Sequence, residues 1–167
     1  YTIKLRQGVK FHNGQEMTAD DVVASMSRWL ELSGKAKALL EGTVFEKADD
    51  YTITMTLPEA YADAMTVVAA SIQFPAVYPK SGIDSAGTEG ITEYIGTGPY
   101  KLDEWKQDQY IHLVKYEDYA QPAGVSSGFT GEKLAATPDI YFRVVTDDST
   151  RVAGVQTGQY DIAEEMP

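Results

Sequence analysis

The sequence predicts an α+β domain, and three observations point to it. The run Tyr51 to Leu57 alternates apolar side chains with threonines, as a half-buried strand does. Val22, Val23, Met26, Trp29 and Leu30 recur at three- and four-residue spacing, the stripe of an amphipathic helix. The two periodicities occupy different stretches, separated by Gly34 and Gly42, with no internal repeat and no low-complexity tract.

Composition bounds the answer further. The chain has 167 residues, enough for one domain or two small subdomains with a real core. Hydrophobic content is 43% and charged content 23%, which is globular rather than disordered. The net charge of −11 repels phosphate backbones, and the lysines and arginines are scattered, so no nucleic-acid partner is expected. The absence of cysteine excludes disulfides, thiolate nucleophiles and cysteine-type metal sites. No run of 18 apolar residues exists, so no membrane-spanning helix is expected. Tyr1 already lies in a strand-like run, and the chain reads as a fragment of a longer protein.

The elements follow in order. Tyr1 to Leu5 alternates and predicts a strand, and Val9 to Phe11 a short extended piece closed by the turn His12-Asn13-Gly14. Thr18 opens the longest helix, with Asp21 three residues on as the partner of a capping box. Ser33-Gly34 ends that helix, and Lys35 to Glu41 predicts one short helix more. Thr43 to Ala48 and Tyr51 to Leu57 flank Asp49-Asp50 as a hairpin. Tyr61 to Ala70 reads as helical, Pro79 to Gly82 as a loop and Gly87 to Tyr94 as a short helix. Strands are expected over Tyr100 to Trp105, Tyr110 to Tyr116, Asp139 to Val145 and Tyr160 to Ala163. Glu117 to Thr137 lacks periodicity, and a loop of that length is usually functional or wrapped over a surface. Asp148-Ser149-Thr150 caps a last helix through Gln156, ended by Gly158.

The stretch Gly96-Thr97-Gly98-Pro99-Tyr100 separates the two halves of the chain. Pro99 has a fixed φ and no N–H, and it pushes Gly98 out of the helical region. Gly98 is therefore expected at a backbone conformation that other residues avoid. A phosphate-cradling loop would need free amides and a following helix; here Pro99 removes an amide and a strand follows.

No catalytic chemistry is visible. His12 and His112 have no metal-ligand partner at helical or hairpin spacing, and no nucleophile elbow occurs, so neither a metal nor a cofactor is expected. The eleven tyrosines sit mostly at alternating strand positions, where core or sheet surface explains them. An acid–base hydrolase would need paired carboxylates in a cleft, and a protein-interaction module an exposed apolar patch.

Three stretches together carry a family resemblance. They are Tyr1 to Gly14 running into Thr18-Ala-Asp-Asp-Val-Val23; Gly96 to Leu102 with Glu104-Trp105 and Tyr116 to Tyr119; and Arg143 to Val145 with Asp148-Ser-Thr-Arg151, Gln156-Thr-Gly158 and Asp161-Ile-Ala163. In this order they resemble the family 5 extracellular solute-binding proteins, the peptide and nickel receptors of bacterial ABC importers. Thr18, Asp21, Gly96, Gly98, Pro99, Tyr100 and Arg151 are the structural residues of those motifs.

The resemblance implies a mixed-sheet fragment of a periplasmic binding protein-like fold of type II, with an extra subdomain and the second lobe absent. It places residues 1–79 in the extra subdomain, 80–95 in a linker and 96–167 in the first lobe. The implied function is capture of short peptides outside the membrane, without catalysis or cofactor, for delivery to an ABC permease. A nickel chelate, an opine or an oligosaccharide are the other ligand classes of such receptors. The implied location is periplasmic or extracellular, membrane-associated through the transporter. Ser71, Gln73 and Phe74 are the candidate ligand residues, because the matching loop in relatives lies near the cleft. A fragment with cut sheets is also expected to self-associate through an edge, near Tyr1 to Leu5 or Tyr160 to Ala163.

Overall fold

The computed structural model describes residues 1–87, 89–127 and 130–164. They divide into two compact units. One holds Tyr1–Lys101 and Tyr116–Ala135; the other holds Leu102–Lys115 and the residues from Ala136 onward.

The first unit is built on a three-stranded antiparallel sheet. Strands β1 (Thr2–Lys4), β2 (Val44–Asp49) and β3 (Thr52–Thr56) lie in the order β1-β3-β2, so β3 is central. The threonine alternation has its expected outcome: Ile53 and Met55 are fully buried, and Phe45 stands opposite Met55. Asp49 Oδ1 accepts the Tyr51 N–H at 2.8 Å and shapes the hairpin turn, with a register shift between Lys47 and Asp49.

Helix α1 (Ala19–Leu32) lays Ala19, Val22, Met26 and Trp29 on the core around that sheet. Full burial of a side chain the size of Val22 or Met26 stabilises by roughly 1.5–3 kcal/mol. Thr18 is the N-cap, in extended conformation, and pairs with Asp21 in a capping box. The carboxylate half is the well-formed one: Asp21 Oδ2 accepts from the Thr18 N–H at 2.9 Å and from its hydroxyl at 3.1 Å. Helix α2 (Gly34–Leu39) follows at once, its N-cap Ser33 accepting from the Ala36 N–H.

Helix α3 (Ala64–Val68) is shorter than the apolar run Tyr61 to Ala70 implied. Pro79 to Gly82, expected as a loop, instead opens α4 (Lys80–Ala86), so the stretch expected as a linker begins with a helix. Proline suits a helix start, and the Lys80–Asp84 ion pair at 2.5 Å supports the first turn. Gly87 to Tyr94 forms no helix among its described residues. Gly87 has φ +52°, and Arg28 takes the Gly87 and Glu89 carbonyls at 2.5 Å each, acceptors a helix would have used.

His12 joins the two motif stretches of this unit. Its N–H donates to the Gly96 carbonyl, its Nδ1 accepts from the Gly96 N–H at 3.2 Å, and its Nε2 donates to the Gly98 carbonyl at 3.0 Å. Tyr116 packs edge-on against the imidazole, donates its hydroxyl to Phe11 O at 2.8 Å, and donates its N–H to Pro99 O. Gly98 does not have a positive φ, and a Cβ added there meets only the Tyr100 carbonyl at 3.7 Å. The expected conformational requirement at Gly98 is therefore wrong; the turn uses its carbonyl, which any residue could supply.

The second unit is a sheet in the order β4-β5-β6, with strands β4 (Tyr100–Lys106, entering this unit at Leu102), β5 (Tyr110–Lys115) and β6 (Asp139–Arg143). Asp108, at φ +60°, turns β4 into β5. β5 and β6 are antiparallel, with His112 opposite Tyr141 and Tyr110 opposite Arg143. Helix α5 (Asp148–Gln156) is capped by Asp147, one residue before the expected cap, whose Oδ1 accepts the Thr150 N–H at 2.7 Å. The final strand expected over Tyr160 to Ala163 does not form. The Gln159 and Tyr160 amides donate instead to Gly154 O, folding the chain back onto α5.

Candidate functional site

The candidate loop is fastened by one face of α1. Ser25, Trp29 and Ser33 are spaced at i, i+4 and i+8, so they line up along the helix and onto its C-cap. Ser25 Oγ accepts the Tyr78 N–H at 2.9 Å and donates to the Tyr78 carbonyl at 3.3 Å. Trp29 Nε1 donates to the Gln73 carbonyl at 2.6 Å. Ser33 Oγ donates to Gln73 Oε1 at 2.9 Å, and the Lys35 N–H reaches the same oxygen at 3.1 Å.

Gln73 is thus held at three points, and it adopts φ +55°, a conformation uncommon outside glycine. Because the Lys35 amide can only donate, the atom facing it must be the carboxamide oxygen. The NH2 of Gln73 is left on the other side with two donors and no protein acceptor among the described residues.

Between α1 and residues 73–78 lies an open hollow of about 360 Å³. Its walls include Trp29, Leu32, Phe74, Ala76 and Tyr78, with Gln73 among them. Phe74 is 60% exposed and presents its ring to the hollow. Among the described residues no carboxylate lines the hollow, and its cation, Arg28, is spent on the two carbonyls of Gly87 and Glu89.

Of the three candidate residues, the hollow gathers Gln73 and Phe74; Ser71 is exposed and outside the lining. Thr18 and Asp21 sit at the opposite end of α1, roughly 20 Å away along a 14-residue helix. Gly96, Gly98, Pro99 and Tyr100 form the His12-held turn and the start of β4. Arg151 donates to Val145 O at 2.8 Å and pairs with Asp148, bracing α5. Trp29, Ser25 and Ser33 escaped sequence reading because Trp29 fits the core stripe; the signal was two serines on a face otherwise apolar.

The other titratable cluster lies in the second unit. His112 Nδ1 meets Asp103 at 2.9 Å and Nε2 meets Asp139 at 2.9 Å, while its ring stacks on Tyr141 at 4.1 Å. The Asp139 hydrogen bond, then Asp103, raise its pKa above the ordinary 6.5, against the effect of burial. Both ring nitrogens are committed, so this histidine ligates nothing, and no metal-binding group exists among the described residues. No helix among them is long and apolar enough to cross a membrane.

Comparison with known proteins places the chain in a family and a fold. The glutathione-binding protein GsiB of Escherichia coli K12 is 30% identical over 173 residues, covering 100% of this chain and 31% of GsiB. The oligopeptide-binding protein AppA of Bacillus subtilis, solved with a nonapeptide, superposes with TM-score 0.70 at 29% identity, covering 95% of this chain and 31% of AppA. NikA of Brucella suis, solved with Fe(III)-EDTA, superposes with TM-score 0.75 at 25% identity, covering 95% of this chain and 30% of NikA. The chain thus spans about a third of the length of these relatives, and its fold is a part of theirs. Residues 1–167 match the sequence profile of the bacterial extracellular solute-binding proteins, family 5 Middle, and the chain belongs to that family.

Proposed function

We propose that this chain is part of the receptor of a bacterial ABC importer, one that captures short peptides outside the cytoplasmic membrane and delivers them to the permease. The observation that carries the reading is the loop at Gln73 and Phe74. It is pinned by Trp29 and Ser33, yet it leaves an aromatic ring and an amide donor open to solvent. A binding protein gains affinity from groups held in place before the ligand arrives, because less freedom is then lost on binding. Peptide ligands named for the relatives support the same class.

In this reading residues 1–79 form the extra subdomain, 80–95 the connection and 96–167 the first-lobe part. The ligand closes the receptor by touching both lobes, a hinge motion that it stabilises by differential contact. The location is periplasmic or extracellular, with membrane contact only through the permease. A metal chelate such as the one NikA carries is the second reading, and the lack of a spare cation in the hollow speaks against it.

The test is mass spectrometry of whatever co-purifies with the full-length protein, isolated without denaturation. Bound peptide supports the reading. A metal chelate, sugar or opine in its place overturns it.

A further inference from the structure

Resting on that reading, we propose that the hollow is a subsite for one uncharged, apolar residue of the peptide. The carboxamide NH2 of Gln73 donates to the carbonyl beside that residue, and Trp29, Leu32, Phe74 and Tyr78 receive its side chain.

Three features converge on this chemistry. The first is the orientation of Gln73. Ser33 Oγ and the Lys35 amide both donate to Oε1, so the carboxamide cannot flip and its two N–H donors keep a fixed direction. The backbone of Gln73 is equally fixed, by Trp29 Nε1 on its carbonyl and by a φ of +55°. A residue held in a sparsely populated conformation by several outside bonds is a recurrent property of ligand-contacting positions.

The second feature is charge. The protein carries −11 overall, yet among the described residues no carboxylate lines this hollow, and the Arg28 guanidinium is already bound by two backbone carbonyls. Neither an amine nor a carboxylate of a ligand would find a counter-charge, and burying one unpaired is costly. An internal peptide residue brings no such charge. The third feature is size and wall. About 360 Å³ lies near the lower end of small-molecule sites, room for one side chain and its peptide bond.

Trp29 and Ser33 are positioning residues in this scheme, acting through Gln73. Gln73→Glu is the discriminating variant. It keeps an acceptor for Ser33 Oγ and the Lys35 N–H but removes both N–H donors from the ligand side. The full-length receptor is titrated by calorimetry with Ala-Leu-Ala, Ala-Phe-Ala, Ala-Gly-Ala and Ala-Asp-Ala, and its thermal midpoint is followed in parallel.

Wild type is expected to bind the leucine and phenylalanine peptides more tightly than the glycine and aspartate ones. Gln73→Glu should weaken binding of all bound peptides about ten- to hundredfold with its thermal midpoint unchanged. Phe74→Ala should narrow the gap between the leucine and glycine peptides. If wild type binds peptides but both variants bind them with wild-type affinity and preference, the subsite is overturned and the peptide-receptor reading stands. If wild type binds none of these peptides while another solute class co-purifies, both readings fail.

Discussion

Asp21 accepts the Lys80 backbone N–H at 2.8 Å, across 59 residues of chain. The same carboxylate accepts both donors of Thr18 through its other oxygen. Asp21 is 2% exposed, so its three bonds are made away from water, where charge-assisted bonds count most. Asp21→Ala should therefore cost about 2–3 kcal/mol, since it removes the carboxylate that the amides at the starts of α1 and α4 share. Thr18→Ala should cost ~1 kcal/mol, an ordinary cap loss. Urea denaturation midpoints of the two variants measure the difference, and equal losses would contradict the tie between the two helices.

His12 makes the first unit sensitive to acid. Burial lowers its pKa below the ordinary 6.5, and the charge of Lys101 adds to this, while the hydrogen bond to Gly98 O acts in the other direction. A depressed folded value means that the unfolded chain binds the proton more readily. The stabilisation is present above about pH 6.5 and is lost as pH falls through the folded value. Protonation also places a hydrogen on Nδ1, where the Gly96 N–H donates. Wild type should lose more stability than His12→Gln between about pH 7.5 and 5, because glutamine carries an acceptor and a donor without titrating there. Parallel losses in the two proteins would remove His12 as the cause.

His112 has the opposite sign. Its folded pKa is raised by Asp139 and then Asp103, so its contribution is present below about pH 6.5 and is lost as pH rises through the folded value. The chain has two histidines, and nuclear magnetic resonance can follow both imidazoles separately. His112 should titrate above His12, and Asp139→Asn should bring His112 down while leaving His12 in place. Overlapping titrations would show that the Asp103–His112–Asp139 bridge does not persist in solution.

The glycines divide into tolerant and intolerant. Gly98→Ala should change stability little, since its φ is not positive and no atom crowds the new Cβ. Gly154→Ala is expected to cost about 1–3 kcal/mol, the usual range for overpacking. A Cβ at Gly154 would lie 2.2 Å from the Tyr160 ring. Pairing Gly154→Ala with Tyr160→Ala in a double-mutant cycle checks the cause: the ring's removal should recover part of the loss.

Thr43 is 7% exposed, and its hydroxyl has no hydrogen-bond partner among the described residues. Replacing it with valine keeps the branched shape and removes a buried polar atom left unpaired. Thr43→Val should leave thermal stability equal or raise it by about 1 kcal/mol. A clear loss would reveal a bond that the hydroxyl makes in solution.

Much of this protein was legible from local pattern alone. The stripe Val22, Met26, Trp29 and the alternation of Ile53 and Met55 with threonines place the core of the first unit, because burial on one face imposes a period. The hairpins and the Thr18–Asp21 pair depend on residues close in sequence, so their neighbours announce them. The failures share the reverse property. Helix α4 depends on the Asp21 carboxylate, Gly87 and Glu89 on Arg28, and Tyr160 on Gly154 O; each partner is remote or belongs to another element.

The sequence by itself determined the family, the mixed α+β class and the main stripes, because periodicity and short motifs are properties of the chain. Only the tertiary structure decided which side chains hold the candidate loop. Gln73 gains its direction from Trp29 and Ser33, 44 and 40 residues away. His12 takes up Gly96 and Gly98 from 84 and 86 residues away. Hydrogen bonds are satisfied by whatever the fold brings within about 3 Å, and spacing along the chain carries no record of that.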